Sequence, residues 1–123
     1  MEGSPIMESA RLRGGSTFSR VFDEGCSEVG RFMVLNYLKR ETGGLRAGFA
    51  AGKKLGGAVQ RNRLRRRLRE VLRSLPSECV SADVVLVARR QTGSVPFSKL
   101  REEALLLFER SRLLDRSGEG FSR

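Results

Sequence analysis

The sequence predicts one α+β domain, a two-layer sandwich whose elements run in the order α-β-β-β-α-β-α. Three observations carry that expectation. Short runs of β-forming residues occur at 31–39, 45–51 and 83–88, bounded by glycine and polar turns. Between the second and third runs, residues 57–75 repeat apolar side chains at helical spacing and stop before Pro76. The chain has 123 residues, of which 39% are apolar, enough for one modest core that takes roughly two-thirds of the unfolded surface out of water.

Residues 1–10 show no sustained period and are expected to be flexible, with the domain at 11–114 and a polar tail at 115–123. Either Met1 or Met7 fits as the start. Ser16 is expected to cap a short helix on which Phe18, Val21 and Phe22 fall at i, i+3 and i+4, and Gly25 stops it. Residues 26–29 fit a short extra strand. In the run 31–39, Phe32, Val34, Asn36 and Leu38 share one face, and Met33, Leu35 and Tyr37 the other. Residues 45–51 read as its hairpin partner across the turn at 41–44. The apolar run at 83–88 suits a buried strand. A last helix opens at Ser94 or Pro96 and carries Leu100, Ala104, Leu107 and Phe108 at helical spacing.

Lysine and arginine total 24 against 14 aspartates and glutamates, a net charge of +10, which favours a polyanionic partner. No apolar run approaches the roughly 20 residues of a membrane span, and the N-terminus lacks the apolar stretch of a signal peptide. A cytoplasmic location without a membrane partner is therefore expected. Cys26 and Cys79 have no C-x-x-C spacing and the chain has no histidine, so reduced thiols are expected and a structural zinc site is not. Without histidine the most frequent general acid–base is missing. Asp23, Asp83 and Asp115 lie far apart in sequence, and Glu102 and Glu103 read as solvated acids. No catalytic residue and no metal ligand is assigned to the chain.

The positive charge is concentrated. Residues 53–73 hold Lys53, Lys54, Arg61, Arg63, Arg65, Arg66, Arg67, Arg69 and Arg73 against Glu70 alone, nine charges minus one, or +8. Leu64, Leu68, Val71, Leu72 and Leu75 form a stripe on the same helix, with Asn62, Arg66, Arg69 and Arg73 on the opposite side and Arg63 and Arg67 widening it. Like charges this dense repel by a few tenths of a kcal/mol per pair, a cost that a bound polyanion offsets. Arginine suits phosphate through its planar fork. The strand-to-helix connection through Gly52, Gly56 and Gly57 can approach phosphate at a helix N-terminus, but it lacks the G-x-x-x-x-G-K-[ST] of a nucleotide-binding loop.

The stretch G-K-K-L-G-G-A-V-Q-R-N-R-L-R-R-R-L-R-E resembles the signature of the bacterial ribonuclease P protein family, in which S-K-K-x-G-N-A-V-x-R-N-R leads into a basic helix. R-L-R-G-G-S-T-F-S-R-V-F-D-E-G is similar to that family's first helix, G-R-F-M-V-L-N-Y and L-R-A-G-F-A-A to its central strands, and A-D-V-V-L-V-A-R to its fourth strand. The likeness spans about residues 11–112. It implies a four-stranded sheet with three helices and a left-handed β-α-β crossover, a fold shared with a domain of a small-subunit ribosomal protein. It also implies the protein subunit of a ribonucleoprotein whose RNA, with Mg²⁺ bound mainly by that RNA, cuts the 5′ leader from precursor tRNA. The implied partners are ribonuclease P RNA and precursor tRNA, with no obligate protein partner. Residue by residue, the resemblance assigns Lys53, Lys54, Arg61, Asn62, Arg63, Arg66 and Arg69 to the RNA subunit, and Arg65 and Arg73 extend that set along the helix. It assigns Phe18, Phe22, Val34, Asn36 and Ala50 to the leader. Gly52 stands where the family usually has serine, Gly57 where it has asparagine, and Asn36 where tyrosine is common, with Tyr37 displaced onto the opposite strand face.

The main rival is a ribosomal or other structured-RNA-binding protein without a role in cleavage. A membrane-surface helix is a second rival, but it would need a wide apolar face where arginines dominate, and a stand-alone nuclease is a third, for which no acid–base or metal constellation is visible.

Overall fold

The computed structural model describes residues 15–76 and 79–114. The expected flexible segment at 1–10 and the tail at 115–123 lie outside them. Three helices, α1 (Gly15–Glu24), α2 (Ala58–Arg73) and α3 (Phe97–Arg110), accompany four strands, β1 (Cys26–Val29), β2 (Met33–Lys39), β3 (Leu45–Ala50) and β4 (Ala82–Ala88). The α+β class and the α-β-β-β-α-β-α order are those expected from sequence. Because α1 begins at Gly15, Ser16 falls inside its first turn and not at its cap.

The sheet order is β1-β2-β4-β3, with β4 antiparallel to β2 and parallel to β3. The expected β2–β3 hairpin is therefore incorrect: β4 lies between them. β4 buries nearly every side chain on both of its faces, and such a strand belongs inside a sheet. The turn at 40–44 is fastened to the start of β4 in place of closing a hairpin. Arg40 N–H donates to Ser81 O at 2.9 Å and Ala82 N–H to Gly44 O at 3.2 Å; Gly44 N–H donates to Ser81 Oγ at 2.9 Å.

Alternation along the strands separates two apolar layers. Met33, Leu35, Leu45, Ala47, Phe49, Val84 and Leu86 meet Leu64, Leu68, Val71 and Leu72 of α2 and Leu100, Ala104, Leu107 and Phe108 of α3 in the main core. On the opposite face Val85 meets Val21 of α1, with Phe18, Leu38, Ala50 and Val87 around them. Tyr37 lies against the main core, where burial first and then Cys26 and Glu28 raise its phenol above the ordinary tyrosine value. Phe32 departs from the expected alternation. It precedes β2 and packs on the main core.

Phe32 is placed there by Glu103, which is not the solvated acid expected. Its carboxylate accepts Arg31 N–H at 2.8 Å, Phe32 N–H at 2.8 Å and Met33 N–H at 3.0 Å. A Cβ at Gly30 would sit 2.4 Å from that carboxylate, so only glycine leaves room for it. One α3 side chain thus satisfies three donors where the chain enters β2. Replacing it leaves part-buried donors unmet, at about 1–3 kcal/mol each for the most buried. Glu103→Ala is expected to lower unfolding free energy by about 2–3 kcal/mol, read by urea denaturation as a lower midpoint at unchanged slope.

Candidate RNA-binding surfaces

The basic surface is built on α2. Burial of Leu64, Leu68, Val71 and Leu72 fixes how the helix is rotated, and each such side chain contributes about 1.5–3 kcal/mol. That outweighs the few tenths of a kcal/mol per pair by which neighbouring arginines repel. Arg63, Arg66, Arg73 and Asn62 are left exposed, with Arg61, Arg65 and Arg69 half-buried. Before the helix, Lys53–Leu55 form a 3-10 turn that leaves both lysines exposed.

The arginines are not equivalent. Arg61 Nε donates to Ala51 O at 3.1 Å, tying the start of α2 to the end of β3. Arg69 lies over the Phe49 ring, 5.3 Å from its centroid, so its guanidinium caps the core instead of pointing fully outward. Arg65 Nη2 donates to Asn62 Oδ1. Arg67 Nη1 donates to Thr92 O at 2.7 Å and serves the fold. The sequence pattern placed Arg67 and Arg69 on the same outward side as Arg66; packing against Thr92 and Phe49 separates them from it.

The turn into α2 bears on the departures from the family pattern. Gly57 occupies the N-cap with no side-chain cap, and Gly56 takes φ +128°, a conformation suited to glycine. A Cβ at Gly52 or Gly57 would meet nothing within 4 Å. Serine or asparagine would fit at both, so the missing hydrogen-bonding groups are not imposed by crowding.

The second surface is the sheet face under α1. Val34, Val87 and Ala50 form one row across β2, β4 and β3, continued by Val29 on β1. The next row is Ser27, Asn36, Val85 and Gly48. Asn36 is buried and its Oδ1 accepts Ser27 Oγ–H at 2.6 Å. Val34, Ala50 and Phe18 are half-buried, while Phe22 is 45% exposed. Four of the five residues assigned to the leader therefore gather at one face, Val34, Asn36 and Ala50 on the sheet and Phe18 against it, while Phe22 is exposed on α1. Phe18 packs on the Val21–Val85 cluster and is the more structural ring; Phe22 is an open aromatic surface. The two surfaces meet where β3 ends, since Ala50 belongs to the floor and Lys53 to the basic turn.

Sequence reasoning missed Asp83 as a charge centre. Its buried carboxylate accepts Arg40 Nε at 2.9 Å and Arg46 Nε at 2.7 Å. That hydrogen bond raises the Arg46 pKa further, against desolvation. Both partners are some forty residues away along the chain, where local periodicity carries no signal. Cys26 and Cys79 are not joined in a disulfide; Cys26 is exposed and Cys79 half-buried. Among the described residues no group of three or more cysteine, aspartate or glutamate side chains could hold a metal ion. No helix among them is long and apolar enough to cross a membrane.

A family model described as Ribonuclease P matches residues 6–112. The ribonuclease P protein component of Symbiobacterium thermophilum is 44% identical over 115 residues, covering 92% of this chain and 100% of the relative. That of an Exiguobacterium species is 35% identical over 108 residues, covering 88% and 95%. Among solved structures, the RNase P protein from Thermotoga maritima superposes with TM-score 0.72 at 30% identity, covering 81% of this chain and 96% of that one. The Staphylococcus aureus RNase P protein gives 0.75 at 23% identity over 88% and 100%, which speaks to the fold. The chain therefore belongs to the ribonuclease P protein family, as the accessory protein subunit of a ribonucleoprotein endoribonuclease that processes tRNA.

Proposed function

We propose that this subunit grips two RNAs with two surfaces. The basic face of α2, with Lys53 and Lys54, binds the ribonuclease P RNA. The sheet face under α1 takes the single-stranded 5′ leader of precursor tRNA. The observation that carries the reading is the separation of the two surfaces by the sheet. α2 packs on one face of it, with Arg63, Arg66 and Arg73 exposed, while Val34, Asn36 and Ala50 lie on the other with Phe18 packed against them. In this reading Lys53, Lys54, Arg61, Arg63, Arg65, Arg66, Arg69 and Arg73 supply charge toward phosphates and Asn62 a polar amide, with Arg61 also holding Ala51 O and Arg69 also lying over Phe49.

The floor offers apolar contact and an aromatic ring, a combination that accepts any base because every base has a stackable face. The cleavage chemistry belongs to the RNA, with Mg²⁺ supplying its Lewis acidity there. The protein's part is binding and orientation, which converts leader contact into substrate affinity. The reading puts the complex in the bacterial cytoplasm.

Exposed arginines test the first surface. Replacing Arg63, Arg66 and Arg73 together by alanine is expected to preserve folding and to weaken binding to ribonuclease P RNA. The slope of log affinity against log salt should flatten by about 0.7–0.9 for each phosphate that is no longer neutralised. Arg67→Ala is expected to do the reverse, lowering stability through Thr92 while keeping the slope. A folded triple variant with the wild-type slope removes α2 from the interface, and tight retention of ribosomal RNA in its place would favour a ribosomal role.

Phe22 tests the second surface. A fully buried phenylalanine costs about 3–5 kcal/mol when truncated. At 45% exposure, Phe22→Ala is expected to cost well under that, and to weaken holoenzyme binding of leader-bearing precursor by about 1–3 kcal/mol, the range of one stacked base. Mature tRNA should bind as before. A large fall in melting temperature with leader discrimination intact would make the ring a core residue.

A further inference from the structure

We propose that Arg46 is a phosphate-binding residue for the single-stranded leader, at the end of the leader face opposite Ala50. The proposal rests on assigning the leader to that face. Arg46, Gly48 and Ala50 alternate onto it from β3, and their partners on β4 are Asp83, Val85 and Val87. Glycine between them puts no side chain in the way. Four residues of strand at about 3.3 Å each set Arg46 about 13 Å from Ala50. β3 is the edge of the sheet, so an extended strand of RNA can leave the face there.

The Arg46 guanidinium is held in place. Its Nε donates to Asp83 Oδ1 at 2.7 Å and its Nη2 to Asp83 Oδ2 at 2.9 Å. The Asp83 side chain is 4% exposed and that of Arg46 38%. Arg40 shares the same aspartate through Nε at 2.9 Å, and spends Nη1 on Thr42 O at 2.7 Å and Nη2 on Gly44 O at 2.6 Å. Two cations thus surround one buried anion, and they differ in what they have left. All three donor nitrogens of Arg40 bond to protein. Arg46 uses one edge of its fork on Asp83 and keeps Nη1 and the second Nη2 hydrogen for the outer edge.

That outer edge is the pattern that two phosphate oxygens accept. Because Asp83 orients the fork before binding, little side-chain entropy is lost when an anion arrives. The leader, and not the RNA subunit, is the occupant, because the α2 arginines lie beyond the opposite face of the sheet. A buried ion pair kept only for stability would have no need of an exposed second edge. Arg40, tied to Asp83 through Nε alone, turns its other edge to Thr42 O and Gly44 O.

The experiment compares Arg46→Gln with Arg40→Gln in reconstituted holoenzyme, using precursor tRNAs with leaders of increasing length and mature tRNA as the zero. Arg46→Gln is expected to weaken binding of long-leader precursor about tenfold, the effect of one charged hydrogen bond. It should also flatten the salt slope by about 0.7 and leave mature tRNA and very short leaders unaffected. Arg40→Gln is expected to lower the melting temperature similarly while keeping long-leader affinity. If Arg46→Gln does not fold, Arg46→Lys, which keeps the charge and loses the fork, is read by long-leader affinity alone, with the salt slope unchanged. Equal leader dependence in the Arg46 and Arg40 variants overturns the proposal. Phe22→Ala, measured in parallel, separates the two levels. Loss of leader affinity there but not at Arg46 removes only this phosphate site. No loss at either removes the leader from this face, and the proposal with it.

Discussion

β4 turns Ala82, Val84, Leu86 and Ala88 toward one apolar layer and Asp83, Val85 and Val87 toward the other. A strand with no solvent-facing side is stable only with neighbours on both edges and helices on both faces. That requirement puts β4 between β2 and β3, makes the β3–β4 link a parallel crossover, and assigns α2 to carry it across the main core. It also fixes the one charge β4 buries. Asp83 sits on the layer that α1 covers only in part, so its two arginines lie at the border of an open face.

From this placement the division of labour follows. α2 must bury its leucine stripe to close the main core, and the rest of its circumference, mostly arginine, is turned outward. The gain from that stripe exceeds the repulsion among the arginines, so the fold tolerates a concentrated cationic face that a free helix would not. On the other side Val21 is the one buried residue among the described side chains of α1, and a helix anchored so lightly leaves Val34 and Ala50 half-exposed. The Ala51–Arg61 hydrogen bond ties the start of α2 to the end of β3, where the sheet gives way to the basic turn.

Much of this was legible in the sequence because it depends on local period. The leucine stripe of α2, the alternation of β2 from Met33 onward and the stop at Gly25 appear at the expected positions, while α2 ends at Arg73, two residues before its expected end at Leu75. The strand order was not legible, because a glycine turn at 41–44 signals a hairpin whether or not a later strand inserts itself. The resemblance to a known family supplied the site residues, and the structure sorted them. Arg66 and Arg69 look equivalent on a helical wheel, but Phe49 lies under one of them. Glu103 and Asp83 read as surface acid and strand residue, since the groups that define them come from sequence separations of about 70 and 40 residues.

The central claim is that two RNAs occupy opposite sides of one sheet. It is tested most directly by placing a photo-crosslinker at two exposed positions. Val29 continues the leader row on β1, and Val59 lies at the start of α2; they are 62% and 84% exposed. In holoenzyme assembled with labelled precursor tRNA, the account predicts crosslinks from position 29 to leader nucleotides and from position 59 to ribonuclease P RNA. Leader crosslinks arising from position 59, with position 29 reaching only the RNA subunit, would contradict it.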